Sequence, residues 1–327
     1  MIKLTGIFKI IEEHTFTPDK CFLCGCLLTD ETKTEEHVIP KWLQNRFNLW
    51  DQKIFLLNGT LLPYRQITIP CCFNCNNIHL KPFEDKVHEA FKIGYEAFRE
   101  LDKNILFLWL GKIYFGIIYR ELFLRIDRSN PEKGTITSTG YLKSFYSHFL
   151  FLQGIRKKHS FQNFFPASIF LFKTQKPKRI EEQWDFIDNQ QSLFISIRMG
   201  EIGIIAILQD CGATKQLEGL LDHHRDIELH PLQFREITAK ILYKSFLINR
   251  TPKFTNIQTD DRIETYSMPL QGFNNTPVFE DWDNDIYSML LSKYLELPLE
   301  ICQPEKGKVF TWLMDKNGES IFIPVDK

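Results

Sequence analysis

Six of the eight cysteines fall in two tight groups, and four of them form Cys-x-x-Cys pairs, Cys21/Cys24 and Cys72/Cys75. Four thiolates at that spacing satisfy the tetrahedral preference of a closed structural Zn²⁺ site. Clustering of this kind points to metal binding in a reducing cytoplasm rather than to disulfides. Cys26 and Cys71 stand beside the pairs. Cys71 could replace Cys72 as a ligand, but only Cys72 keeps the two-residue spacer. Between the pairs lies Glu36-His37-Val38-Ile39-Pro40, and directly after the second pair come Asn76 and Asn77.

These residues need elements to hold them. The run 54–64, IFLLNGTLLPY, reads as a hairpin with Asn58-Gly59 as its turn. From Asn76 onward the apolar spacing becomes helical, with Pro82 as a fresh start after a first short turn. Zinc would weld the hairpin to that helix, making up for a module too small to bury much core.

Taken jointly, CxxC, EHVIPKWL and CxxCNN resemble the HNH endonuclease family in its zinc-containing, ββα-metal form. The resemblance covers about residues 20–90 and includes Glu36, His37, Pro40, Trp42, Leu43, Cys75, Asn76, Asn77 and Glu84. It implies a metal-dependent endonuclease that cuts DNA, with RNA as an alternative substrate. His37 would be the general base that activates water. Glu36 and Asn76 would hold one catalytic Mg²⁺ or Mn²⁺, which would stabilise the phosphate and the leaving oxygen. The family more often carries Asp or His where Glu36 stands. Its middle Asn has Asn58 as the best counterpart, set against a plain turn Asn. Asn77, His79 and Glu84 would support the site, with a solvated helix face as the alternative for His79 and Glu84. Asp85, Lys86 and His88 read as a solvated helix face, and His223, His224 and His230 as surface positions.

Composition bounds the rest. Of 327 residues 43% are apolar and 29 are Phe, enough for a core. Net charge is −1, so the chain as a whole is no general polyanion binder. Charge is segregated, however. Residues 103–179 carry 14 Lys+Arg against 3 Asp+Glu, whereas 180–327 carry 14 against 24. The basic stretch, with Arg156, Lys157, Lys158, Lys176, Lys178 and Arg179, is a candidate nucleic-acid surface, or else a counterweight to the acidic remainder. The N-terminal MIKLTGIFKIIEEH lacks the features of a secretory leader. Ile105–Ile118 is short for a membrane span and contains Lys112, so it is expected to be a core helix.

The expected class is α+β. An HNH module occupies 1–101. A larger α+β body of unknown role (targeting, sensing or dimerisation) occupies 102–327. That body should contain helices near 104–126, 140–156 and 230–248 and strands at 167–173, 183–188, 192–199 and 202–210. An irregular stretch at 249–280, a helix near 281–295 and strands near 308–324 should follow. A homodimer or larger assembly is expected, because cutting both strands favours a duplicated site. The expected setting is cytoplasmic defence against foreign DNA. A non-catalytic zinc-stabilised binding or scaffold protein is the alternative from a different class.

Overall fold

The computed structural model describes residues 15–225, 227–259, 262–270 and 276–325; the reading of the N-terminal fourteen lies outside them. In chain order come β1 (Lys33–His37), α1 (Lys41–Arg46), β2 (Lys53–Phe55), β3 (Leu61–Pro63) and β4 (Thr68–Cys72). A π-helical turn (Cys75–Leu80) runs into α2 (Lys81–Ile93). Then follow α3 (Tyr95–Arg99), α4 (Lys103–Glu121), α5 (Thr139–Ser144), α6 (Tyr146–Leu152) and β5 (Lys158–Phe161). β6 (Ser168–Lys173), β7 (Trp184–Asn189), β8 (Phe194–Met199), β9 (Ile202–Ile207), α7 (Glu218–Leu221) and α8 (Pro231–Phe246) come next. The described chain ends with β10 (Phe254–Gln258), β11 (Arg262–Ser267), α9 (Asn284–Leu295) and α10 (Leu299–Cys302). The class is α+β.

Two compact units result. The first comprises the described residues of 1–93, 100–163 and 254–266. Here β1 pairs antiparallel with β4, with Glu36 opposite Ile69 and His37 opposite Thr68. A second small sheet has the order β10-β11-β5, with β11 parallel to β5. The division does not fall between 101 and 102, because α4 belongs with the first unit. Leu, Ile, Phe, Trp and Tyr occupy most of its faces, so it needs cover on all sides. A Cβ on Gly116 would lie 2.9 Å from Val38, so helix and bend touch closely there.

The second unit holds residues 94–99, 164–253 and the described residues of 267–327. Its antiparallel sheet has the order β6-β9-β8-β7. The strands match the sequence expectation closely, with Gly200 at positive φ in the β8–β9 turn. Phe170, Phe172 and Ile205 pack against Phe234, Ile237 and Ile241 of α8. Tyr287 and Leu291 of α9 pack with Ala239 and Tyr243 of α8.

Other expectations change. The short first turn is a π turn (Lys81 N–H to the Asn76 carbonyl), and α2 begins at Lys81 with Pro82 in its first turn, where a missing N–H is tolerated. Gly94, at φ 124°, separates α2 from α3. The stretch 140–156 is two helices parted at Phe145. Residues 249–280 contain β10 and β11 rather than irregular chain. Residues 308–324 form no strand among the described residues, only isolated bridges at Lys308 and at Met314–Ser320. The hairpin β2–β3 forms, with Ile54 opposite Leu62, but its loop runs from Leu56 to Thr60. Asn58-Gly59 is therefore the tip of a longer loop and not a two-residue turn.

Candidate active site and metal centre

Cys21 and Cys24 sit on a tight turn held by Gly25 N–H to the Cys21 carbonyl (2.8 Å) and Cys21 N–H to the Cys26 carbonyl (2.9 Å). The Phe22 N–H donates to the Pro70 carbonyl (2.9 Å), so the turn docks onto β4. Cys72 ends β4, and Cys75 opens the π turn, its N–H 3.3 Å from Cys72 Sγ. The four sulfurs of Cys21, Cys24, Cys72 and Cys75 all lie within 4.8 Å of one another, an arrangement able to hold a metal ion. Cys71 Sγ lies 3.9 Å from Cys21 Sγ but stands outside this group, and Cys26 is exposed. Hydrogen bonds from Cys24, Cys71 and Cys75 hold the Cys21 thiol far below its ordinary value. The same crowding pushes Cys71 and Cys75 up. Thiols packed this way compete for negative charge that a cation would let them share.

His37 ends β1 and is half-buried, its ring 6.0 Å from that of Trp50. The chain then bends, with Val38 N–H on the Ile67 carbonyl (3.0 Å), and enters α1 at Pro40. Gln44 of α1 is fully buried. Its Nε2 donates to the Ile39 carbonyl at 2.7 Å and lies 3.3 Å from His37 Nδ1. The carbonyl fixes which end of the amide faces it, since a flipped Gln44 would set oxygen against oxygen. Nδ1 of His37 is therefore an acceptor, and the neutral ring carries its proton on Nε2. Burial, then the nearby Lys41 charge, holds the imidazole below its ordinary pKa, so it is neutral at neutral pH.

Glu36 departs from expectation. On β1 it points away from the exposed face and is only 7% accessible. Its Oε1 accepts a hydrogen bond from the wholly buried Lys112 of α4. Lys112 Nζ also donates to Glu84 Oε1 (2.8 Å) and to the carbonyls of His37 (2.8 Å) and Val38 (3.3 Å). Burial raises the Glu84 carboxyl to about 7 against the pull of Lys112, while the two carboxylates hold Lys112 protonated. A hard divalent ion on Glu36 and Asn76 does not fit this arrangement. The Glu36 carboxylate is engaged by an ammonium through Oε1. The sequence carried one signal of this, a lysine in the middle of an apolar helix, which must find acceptors if buried.

Asn76 lies in the π turn, its Nδ2 donating to Thr34 Oγ1 (3.0 Å). His37, Glu36, Asn76, Asn77 and Glu84 all line one cleft of about 380 Å³, together with Lys41 and Lys81. Asn77 donates to the Phe73 carbonyl (3.1 Å). His79 is not among the lining residues; burial, then the charge of Arg156, lowers its pKa. Asn58 is not among them either. It donates to the Ile126 carbonyl (3.1 Å) and accepts from Thr60 N–H (3.0 Å), so it fixes its own loop rather than the His37 bend. Sequence reasoning missed His88. It lines the cleft and stacks on Trp42 at 4.5 Å, so it is not simply a solvated face. Asp85 lines the cleft too.

The six basic candidates divide between the units. Arg156, Lys157 and Lys158 belong to the first, and Arg156 Nη1 donates to Gln153 Oε1 (2.9 Å). Lys176, Lys178 and Arg179 belong to the second, where Lys176 pairs with Glu201 (2.8 Å) and Arg179 with Glu182 (3.2 Å). Of the histidine group, His224 is buried, not on the surface, and His230 caps α8. No described helix is long and apolar enough to cross a membrane. Comparison with protein-family models, curated proteins and solved structures finds no match to this chain.

Proposed function

We propose that the first unit is a zinc-stabilised nuclease module of the ββα type that hydrolyses phosphodiester bonds in DNA. One observation carries this reading: His37 from β1 and Asn76 from the π turn ahead of α2 line a single cleft. The order of two antiparallel strands followed by a helix supports it. So do Lys41 and Lys81 at the cleft, where they can meet a phosphate backbone. Zinc fits the cysteine cluster, because a tetrahedron with Zn–S bonds of about 2.3 Å has S···S edges of about 3.8 Å. Cys24 and Cys72 Sγ lie 3.8 Å apart.

In this reading His37 takes the proton of the attacking water. Uptake at Nδ1 requires Gln44 to release its long hydrogen bond, which a water entering the cleft can replace. Glu36, Glu84 and Lys112 position the bend that carries His37. No step is assigned to a hard divalent ion. Duplication of the site in a homodimer and a role in defence against foreign DNA belong to the same reading. RNA is the alternative substrate.

A second reading, a zinc-stabilised binding or scaffold module that does not cut, is favoured by the capture of Glu36 by Lys112. A supercoiled-plasmid assay with Mg²⁺, Mn²⁺ or EDTA decides between them, with an RNA arm for the sugar. Wild type should nick, and His37→Ala should be at least about 100-fold slower. Equal cleavage by both proteins sinks the proposed role of His37. Retained zinc and nucleic-acid binding without cleavage supports the second reading.

A further inference from the structure

One stripe of side chains from the π turn and α2 faces the cleft at His37. Asn77, Lys81, Asp85 and His88 recur every three or four residues, and all of them line it. His88 is the member of that stripe with a fixed ring and unused polar atoms. Its imidazole stacks on Trp42 of α1, with centroids 4.5 Å and planes 14° apart. Phe91, the next residue along that side of α2, packs on the same indole at 5.0 Å and so helps to fix it. The His88 nitrogens make no hydrogen bond among the described residues, and neither is sealed from solvent. Burial, then the Lys92 charge, lowers the pKa of the ring, so at neutral pH it carries one N–H and one bare nitrogen.

Charge alone does not mark this cleft for a phosphate. Lys41 and Lys81 are balanced by Glu35 and Asp85, while Glu36 and Glu84 share the Lys112 ammonium. Selection of a phosphate oxygen therefore needs a donor held in place. Lys41 and Lys81 are exposed, and their long side chains must give up rotamer freedom to hold a ligand. The stacked imidazole of His88 has little such freedom left to lose.

Taking the cleft as the nucleic-acid site of the proposed nuclease, on which this role rests, we propose that His88 binds substrate by donating its ring N–H to a backbone phosphate. Trp42 acts through His88, as the platform that positions the ring. His88 thereby holds the strand while His37 acts on water.

The test is fluorescence anisotropy on the full chain carrying His37→Ala, so that no cleavage by His37 intervenes. A labelled DNA duplex and a labelled RNA hairpin are the probes, and the tighter of the two identifies the source of the phosphate. His88→Phe keeps a ring on Trp42 and removes both nitrogens, so it should weaken binding at least about fivefold with the unfolding temperature unchanged. His88→Gln keeps an N–H donor without the ring and should bind better than His88→Phe. Binding by His88→Phe equal to that of its parent overturns the proposal. So does His88→Gln binding no better than His88→Phe, or failure of both probes to bind. The plasmid assay tests His37 separately. Nicking with no effect of His88 on binding leaves the nuclease reading standing without this role, and His88-dependent binding without nicking leaves this role standing without the nuclease.

Discussion

Lys112 Nζ of α4 donates to Glu84 Oε1 of α2 at 2.8 Å and ties that helix to Glu36 on β1 through one ammonium. The ion triad joins three elements beneath the bend that carries His37. Lys112→Met would leave two carboxylates facing each other without a counter-charge. It should destabilise the first unit by about 3–5 kcal/mol, measured by urea unfolding. The triple variant Lys112→Met/Glu36→Gln/Glu84→Gln should recover most of that loss. If Lys112→Met alone is neutral, the triad is not what holds the bend.

His148 of α6 supplies a pH dependence of definite sign. It is fully buried, its Nε2 lies 3.0 Å from the Gly111 carbonyl, and its Nδ1 has no partner among the described residues. Burial lowers its pKa to about 4. The unfolded chain, with a pKa near 6.5, binds this proton more readily than the folded one between those values. Stability should therefore rise with pH from about 4 to 6.5 and level off above, by about 3 kcal/mol from this group. Denaturant titrations across that range should show the slope in wild type and a flatter one in His148→Leu. An unchanged slope in the variant rules out His148 as its origin.

The cysteine assignment separates by stoichiometry. Elemental analysis of the purified protein should find one zinc per chain, and Cys24→Ser or Cys72→Ser should lose it. Cys26→Ser should keep it, because that thiol is exposed and outside the cluster. Metal loss should also lower stability, since a bound ion would join the Cys21–Cys24 turn to β4 and the π turn. Zinc retained after Cys72→Ser, with Cys71 taking over, would disprove the ligand set.

Contact between Gly116 and Val38 gives a test of how α4 sets the bend. A Cβ at Gly116 would fall 2.9 Å from both Val38 methyl carbons. Gly116→Ala should cost about 1–3 kcal/mol by overpacking. Adding Val38→Ala should relieve part of it, giving a coupling of about 0.5 kcal/mol or more in a double-mutant cycle. Strict additivity would show that the two residues do not press on each other.

The parts legible in the sequence were those set by local spacing. The paired cysteines, the four alternating strands β6 to β9 and the helix α8 each carry their signal within about twenty residues. What escaped was decided by distant partners. Glu36 as a metal ligand was reasonable for a residue beside His37, and only the packing of α4 brings Lys112 to it. Asn58 has two readings from sequence, the family's middle Asn or a plain turn residue, and its hydrogen bonds to its own loop and to Ile126 fit the second. His88 looked solvated by helical spacing, and the stack on Trp42 depends on α1 facing α2.

The parallel pairing of β11 with β5 sets an order of events during synthesis. Thr265 accepts β5's return through Gln162 N–H (2.9 Å) and meets His159 Nε2 at 2.8 Å, so the small sheet closes only when β11 is present. Residues 164–253, the bulk of the second unit, intervene. A ribosome must therefore deliver that whole insertion before the first unit can finish. Folding of the insertion replaces a long flexible loop with a compact spacer, which lowers the entropy cost of the closing contact. The cleft that bears His37 thus belongs to a unit whose last strand is made well after its proposed catalytic residues.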